Sequence, residues 1–529
     1  MSKKTRYTAA ATVAVAATLG GTIAAGSVAG AATAAQPDAT KVTTVEGPVR
    51  GAVSGDVRTF QGIPYAAPPI GDLRWKSPRP VTPWSAPLDA RKPGSACPQP
   101  ADQPIAVPGT NGEDCLYLNV TTPAKTGKRL PVIVWIHGGS FVYGDGATYK
   151  AAKLASRGKA VVVTVNYRLG VFGFLSHPGL RAPANLGLQD QQAALGWVRR
   201  NAAAFGGDAR NVTIMGQSGG GYSVCAQLAS PGARGLFDKA IVQSAGCVGE
   251  DGSMSLKQAH ANGIATAKAL GWDGAADADA YLRSAKTADL VKATAAGHGG
   301  YRPVVDGKVL PLAPARALAT GRFNRVPVLH GSTHDEMSGP VGAEETRTGK
   351  PLTAAGYATE VTKVFGDDAA AVLAEYPAGS HGSPGATLSA VLTDSAWSAP
   401  AFDTQRVLAR HVPVYAYDFA DADAPYFKGV PRPKSFSLGT GHMVDLAYLF
   451  ENDLFEPLNE RQARLSDTVI SYWSRFARTG RPNGHGTPAW RRFTPRDAYV
   501  QKLSSGKDGI GRTDFAADHH YTFWTSLRK

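Results

Sequence analysis

The chain LPVIVWI (130–136) and AVVVTV (160–165) is apolar at consecutive positions, without the polar alternation of a half-exposed strand. Runs of this length predict strands covered on both faces, as in a parallel sheet. Between 185 and 207, NLGLQDQQAALGWVRRNAAAFGG changes period: Leu188, Ala194, Leu195, Val198 and Ala202 fall on one side of a helix. NVTIMG (211–216) predicts the next buried strand, and GYSVCAQLAS (221–230) a helix leaving it. FDKAIVQSAG, VPVLHGST and PVYAYDFA predict further strands, Lys257 to Leu318 a mostly helical, Ala-rich stretch. LSDTVISYWSRFARTGRPN (465–483) predicts an amphipathic helix stopped by Gly480 and Pro482. Alternating strands and helices imply an α/β fold: a large, mostly parallel sheet flanked by helices, with chemistry at the carboxyl ends of its strands.

The first 35 residues follow a different pattern. Lys3, Lys4 and Arg6 precede a weakly apolar Ala/Val/Gly stretch, and Ala32-Thr33-Ala34 offers small residues for cleavage. Residues 1–35 are expected to be a secretory signal peptide and 36–529 a single domain. Its removal lowers the formal charge from +14 to +11. An uncleaved anchor is the competing reading, disfavoured because Ala, Thr and Gly suit a membrane core poorly. The expected location is extracellular, with no stable membrane association after cleavage. The positive charge is diffuse, without a basic run interleaved with aromatics, so nucleic-acid binding is not expected.

No P-loop and no zinc-spaced Cys/His cluster is visible, so neither cofactor nor metal is expected. The 4 cysteines, in an exported chain, allow three pairings. Cys97 with Cys115 would close a short Pro-rich loop. Cys225 and Cys247 flank the strand after the helix at 221–230 and are the other expected pair, two buried free thiols being the alternative.

Gly216-x-Ser218-x-Gly220 puts a serine at a strand-to-helix corner among small neighbours, the setting of a nucleophile raised on a strained turn. One pentapeptide specifies little. Around it stand FQGIPYAAPPIGDLRW (60–75), EDCLYLNV (113–120), HGGSFVYG (137–144), NYRLGVFGFL (166–175), GQSGGG (216–221) and TGRPN (479–483). In this order, over nearly the whole mature chain, they resemble the type-B carboxylesterases, the carboxylesterase/cholinesterase family with the α/β-hydrolase fold.

The resemblance implies a serine esterase. Ser218 would be the nucleophile and His442, in GTGHMVDLAYLF, the base that takes its proton and returns it to the leaving alcohol. The residues alone leave Asp335 and Glu336 as alternatives for the acid; the family's pattern places the role on Glu336. Backbone N–H groups of Gly139, Ser140 and Gly219 would receive the oxyanion. Ser140 replaces a usual Gly or Ala, which leaves an N–H donor unaffected. Gly138 would let the loop turn in close. Ser244 would support the acid by a hydrogen bond, and Asp445 is a second supporting residue.

Two departures bear on substrate. Gln217 stands where the family commonly has Glu, and the segment between Cys97 and Glu113 holds no aromatic residue. Cholinesterases use a tryptophan of that loop to hold quaternary ammonium by cation–π attraction. Choline esters are therefore poor candidates, and Phe141, Tyr143, Tyr222 and Trp397, with Gln217, are expected around an uncharged ester. A lipase acting on longer-chain acylglycerols is the alternative function. An amidase is a third. A non-enzymatic cholinesterase-like adhesion domain is disfavoured because serine, acid and histidine are all present.

Overall fold

A computed structural model describes residues 38–101, 111–125, 129–249, 252–295, 300–507 and 509–528. The signal-peptide reading at 1–35 lies outside them. Ala39–Lys529 forms one compact unit.

Its frame is an 11-stranded sheet. In chain order the strands are β1 (Ala52–Ser54), β2 (Val57–Pro64), β3 (Tyr117–Pro123), β4 (Leu130–Ile136), β5 (Val161–Val165) and β6 (Gly207–Gln217). Then follow β7 (Lys239–Gln243), β8 (Val328–Thr333), β9 (Val414–Phe419), β10 (Val500–Leu503) and β11 (Ile510–Thr513). Their spatial order is β11-β10-β9-β8-β7-β6-β4-β5-β3-β2-β1. Neighbours from β5 to β10 run parallel, while β1, β2, β3 and β11 pair antiparallel.

Alternate residues of each central strand feed two different cores. Val132, Val134 and Ile136 of β4 join one cluster, with Val163 of β5 and Ile214 of β6. Ile133 and Trp135 join the other, with Val162, Met215 and Ile241. Both faces being covered, the side-chain period of two leaves no solvent-facing position, hence the largely apolar runs. The second core is closed by a helix at Glu460–Thr479, which starts five residues before the sequence expectation. The side chain of Asn459 and that of Gln462 cap each other's backbone N–H there, and this capping box sets the start. Gly480, at φ 75°, ends it as expected. The stretch 257–318 is helical at Leu256–Ala269, Ala278–Ser284, Thr287–Ala295 and Pro314–Ala319. It also carries a strand pair the pattern did not reveal, Met254–Ser255 with Val304–Val305. Two bonded residues are too few to show a period.

After β4 the chain moves to β5 on one side and then to β6 on the other, so the sheet order reverses between β4 and β6. Parallel α/β sheets open a crevice at such a point, beyond the carboxyl ends of the strands. His137–Ser140 follows β4 and Ser218 follows β6, which sets both segments at that crevice. Disulfides Cys97–Cys115 and Cys225–Cys247 take up all 4 cysteines.

Candidate active site

Ser218 sits between β6 and the helix Gly219–Ala229 with φ 55° and ψ −125°, backbone geometry that costs a serine about 1–3 kcal/mol. Its N–H donates to the Gln243 carbonyl at 3.0 Å, and the Tyr222 N–H donates to its carbonyl at 2.8 Å. The corner also needs its two glycines. A Cβ on Gly216 would lie 2.3 Å from the Gly220 carbonyl oxygen, and one on Gly220 2.1 Å from that of Ile136. The G-x-S-x-G spacing is thus a steric requirement of strand, serine and helix meeting here.

The loop after β4 lies against this corner. A Cβ on Gly138 would stand 3.2 Å from Ser218 Cβ, and one on Gly219 3.1 Å from the Ser140 nitrogen. Gly139, Ser140 and Phe141 all have positive φ, at 101°, 52° and 65°. That conformation leaves the Gly139 and Ser140 N–H groups without an acceptor among the described residues, while the Gly139 carbonyl takes N–H groups from Val142 and Tyr143. Gly219 opens its helix, so its N–H is outside the helical ladder. His137 anchors the loop: its buried ring spends Nδ1 on the Gly138 carbonyl at 2.8 Å and stacks on Tyr167. Burial pushes its pKa down.

Glu336, fully buried just after β8, meets Nδ1 of His442 in a short hydrogen bond, and its other oxygen accepts the Thr333 N–H at 3.0 Å. Asp335 faces elsewhere. Its carboxylate takes the Thr440 N–H at 2.9 Å and Nδ1 of His334 at 3.2 Å. Of the two adjacent acids, the turn therefore brings Glu336 to the imidazole. With Nδ1–H given to Glu336, Nε2 carries the lone pair, and it lies 3.2 Å from the Gln217 amide nitrogen, one residue from Ser218.

Of the residues expected around the substrate, Trp397 packs its ring 4.7 Å from that of His442. It belongs to a π-helical turn, Asp394–Ser398, an irregularity that tends to occur at functional sites. Tyr143 is half-buried and packs against the second core. Phe141 and Tyr222 are buried in the first, Phe141 edge-on to Phe174 at 5.2 Å. Ser244, buried at the end of β7 with φ 48°, has no hydrogen-bond partner for its hydroxyl among the described residues. The bond to Glu336 that the resemblance implied is not made.

Asp445 is held instead by a residue the sequence reading missed. Gln243 Nε2 donates to its Oδ2 at 2.6 Å, and Trp473 Nε1 lies 3.4 Å from Gln243 Oε1. The only signal in the sequence was an amide interrupting the apolar run KAIV. Burial pushes the Asp445 carboxyl up to about 7, with the Glu336 charge adding to it. The carboxyl stays protonated in the fold up to about pH 7, but in the unfolded chain it ionises near pH 4. It therefore costs stability that grows between those values and is constant above them. Asp445→Asn is expected to stabilise the protein by up to about 4 kcal/mol above pH 7 and not at all below pH 4. Urea unfolding at both ends of the range measures this.

Gln217 carries a second prediction. A carboxylate this close to Nε2 favours imidazolium, and the base must be neutral. Gln217→Glu should move the acidic limb of kcat/KM to higher pH by about one unit, and raise cationic esters relative to neutral ones. Profiles with matched neutral and quaternary-ammonium esters check it, an unmoved limb counting against it.

The carboxylesterase family profile matches residues 38–524. The para-nitrobenzyl esterase of Bacillus subtilis is 36% identical over 476 residues, 84% of this chain and 90% of that one. Carboxylesterase 1D of Rattus norvegicus is 33% identical, covering 92% and 93% respectively. Among solved structures, a thermophilic PNB esterase superposes with a TM-score of 0.77 at 32% identity, over 92% of this chain and 100% of that one. With its parallel α/β-hydrolase sheet, its strained serine corner and these relatives along its length, the chain belongs to the carboxylesterase family and is a carboxylic ester hydrolase.

Proposed function

We propose that this is a secreted serine carboxylesterase hydrolysing uncharged carboxylic esters through an acyl-enzyme, residues 1–35 being its leader and 36–529 its single domain. The observation that carries the chemistry is the imidazole of His442, fixed at Nδ1 by buried Glu336 and offering Nε2 beside the Gln217–Ser218 corner. Ser218 Oγ attacks the ester carbon as Nε2 takes its proton, and Glu336 stabilises the imidazolium. The carbonyl oxygen, now negative, is met by the N–H groups of Gly139, Ser140 and Gly219; each such donor contributes about 10²–10³ in rate. His442 then protonates the departing alkoxide, and water repeats the sequence on the acyl-enzyme.

Two disulfides support export, since such bonds persist in oxidising compartments. No helix among the described residues is long and apolar enough to cross a membrane. An amide at Gln217 in place of a carboxylate favours an uncharged ester. A relative named for para-nitrobenzyl esters makes small uncharged esters the first class to try.

The test is a profile over p-nitrophenyl esters of increasing acyl length, each followed through its solubility limit. Short and medium chains should give the highest kcat/KM, with saturation below the limit. A jump in rate above the limit, with preference for long chains, would instead establish the lipase reading.

A further inference from the structure

Behind Glu336, three residues far apart in sequence converge. His334 lies in the turn after β8, Asp418 in β9, and His519 between the helices Phe515–Asp518 and Tyr521–Leu527. One ligand atom from each lies within 4.8 Å of the other two. Nδ1 of His334 is 3.2 Å from an oxygen of Asp335, and Nδ1 of His519 is 2.6 Å from an oxygen of Asp394. Both rings thus have a carboxylate on one nitrogen, leaving Nε2 as the free one. Metal-binding histidines are oriented by this kind of partner, which fixes the tautomer and raises ligand basicity.

A second observation points to an occupant. His519 and Asp418 are 2% and 1% exposed, yet among the described residues Nε2 of His519 and Oδ1 of Asp418 have no hydrogen-bond partner. Buried polar atoms are normally satisfied, and here two electron-pair donors are orphaned in one cluster. We propose that His334, Asp418 and His519 bind a divalent cation of the zinc class. Two imidazoles and a carboxylate suit zinc, whereas calcium and magnesium prefer all-oxygen sites. Tetrahedral bonds of about 2.0–2.1 Å set ligand atoms about 3.3 Å apart. The 4.8 Å limit is wider, so the three ligands would draw together on binding, and the exposed side of half-buried His334 gives the ion a path from solvent. A water completes the fourth position. The bound ion would tie the turn that carries Glu336 to the C-terminal segment, as a staple outside the reaction itself. No spacing motif announces it, because the ligands come from a turn, a strand and a distant helix connection.

The test uses the full chain, stripped with chelator, dialysed and titrated calorimetrically with ZnCl2. One equivalent should bind. Asp418→Asn and His519→Ala should abolish that binding, and Asp394→Asn, which replaces the carboxylate behind His519 while keeping an oxygen for the Tyr376 hydroxyl, should weaken it about 10–100-fold. Retained ester hydrolysis shows that each variant is folded. Since His519→Ala can fail to fold, crystals of the unaltered protein grown with ZnCl2 provide a second measurement. An anomalous peak among the three residues supports the site. No stoichiometric binding, binding indifferent to the substitutions, or a peak only elsewhere overturns it.

Discussion

Ser218→Ala is expected to lower kcat for a short-chain p-nitrophenyl ester by about a millionfold, the cost seen when a nucleophile acting in concert with its base is deleted. The loss should fall on turnover and leave the fold intact. Ser218 holds its corner through main-chain bonds, its N–H to Gln243 and its carbonyl from Tyr222, and alanine keeps both. The residual rate should stay above the uncatalysed one, because the N–H groups of Gly139, Ser140 and Gly219 still meet the oxyanion. An organophosphate should label the parent protein once, at Ser218, and leave the variant unlabelled. Label on another residue, or a variant that keeps its activity, would move the nucleophile elsewhere.

Glu336→Gln is expected to lower turnover by about 10³–10⁴, and Asp335→Asn to leave it near the parent value. The difference follows from orientation. Glu336 holds Nδ1–H of His442, and a glutamine presenting its NH2 there would favour the wrong tautomer, leaving no lone pair on Nε2. Asp335 is engaged with Thr440 and His334, so its loss loosens the turn without touching the imidazole. Parallel pH–rate profiles add a check. Glu336→Gln should also move the acidic limb of kcat/KM to lower pH, since the carboxylate that favoured imidazolium is gone. The reverse ordering of the two variants would transfer the role to Asp335.

The strands that surround the site were legible for one reason. From β4 to β9 both faces of the sheet are covered, so Val132 to Ile136 had no position at which a polar residue was tolerable. The antiparallel margin was not legible as strand. Ala52–Ser54 is three residues long, and Val57–Pro64 has buried residues only at Val57, Phe60 and Ile63, interrupted by a register shift. The corner at Ser218 was readable because its glycines are demanded by contacts within a few residues and by the neighbouring strand end.

What the sequence determined by itself was therefore local: buried strands, the amphipathic helix ending at Gly480, the serine corner, and the family pattern of motifs. The family pattern pointed to Glu336, but only tertiary structure shows which of Asp335 and Glu336 faces His442, since adjacent residues share nearly every sequence context and differ in the direction the turn points them. It also decided that Phe141 packs into the core while Trp397 stands beside the imidazole, and that the Ser244 hydroxyl finds no partner among the described residues. Gln243 meets Asp445 across 202 residues, and His334, Asp418 and His519 converge from three separate elements. Such contacts depend on strand order and register, which arise from how the whole chain closes over its two cores rather than from the preferences of any one segment.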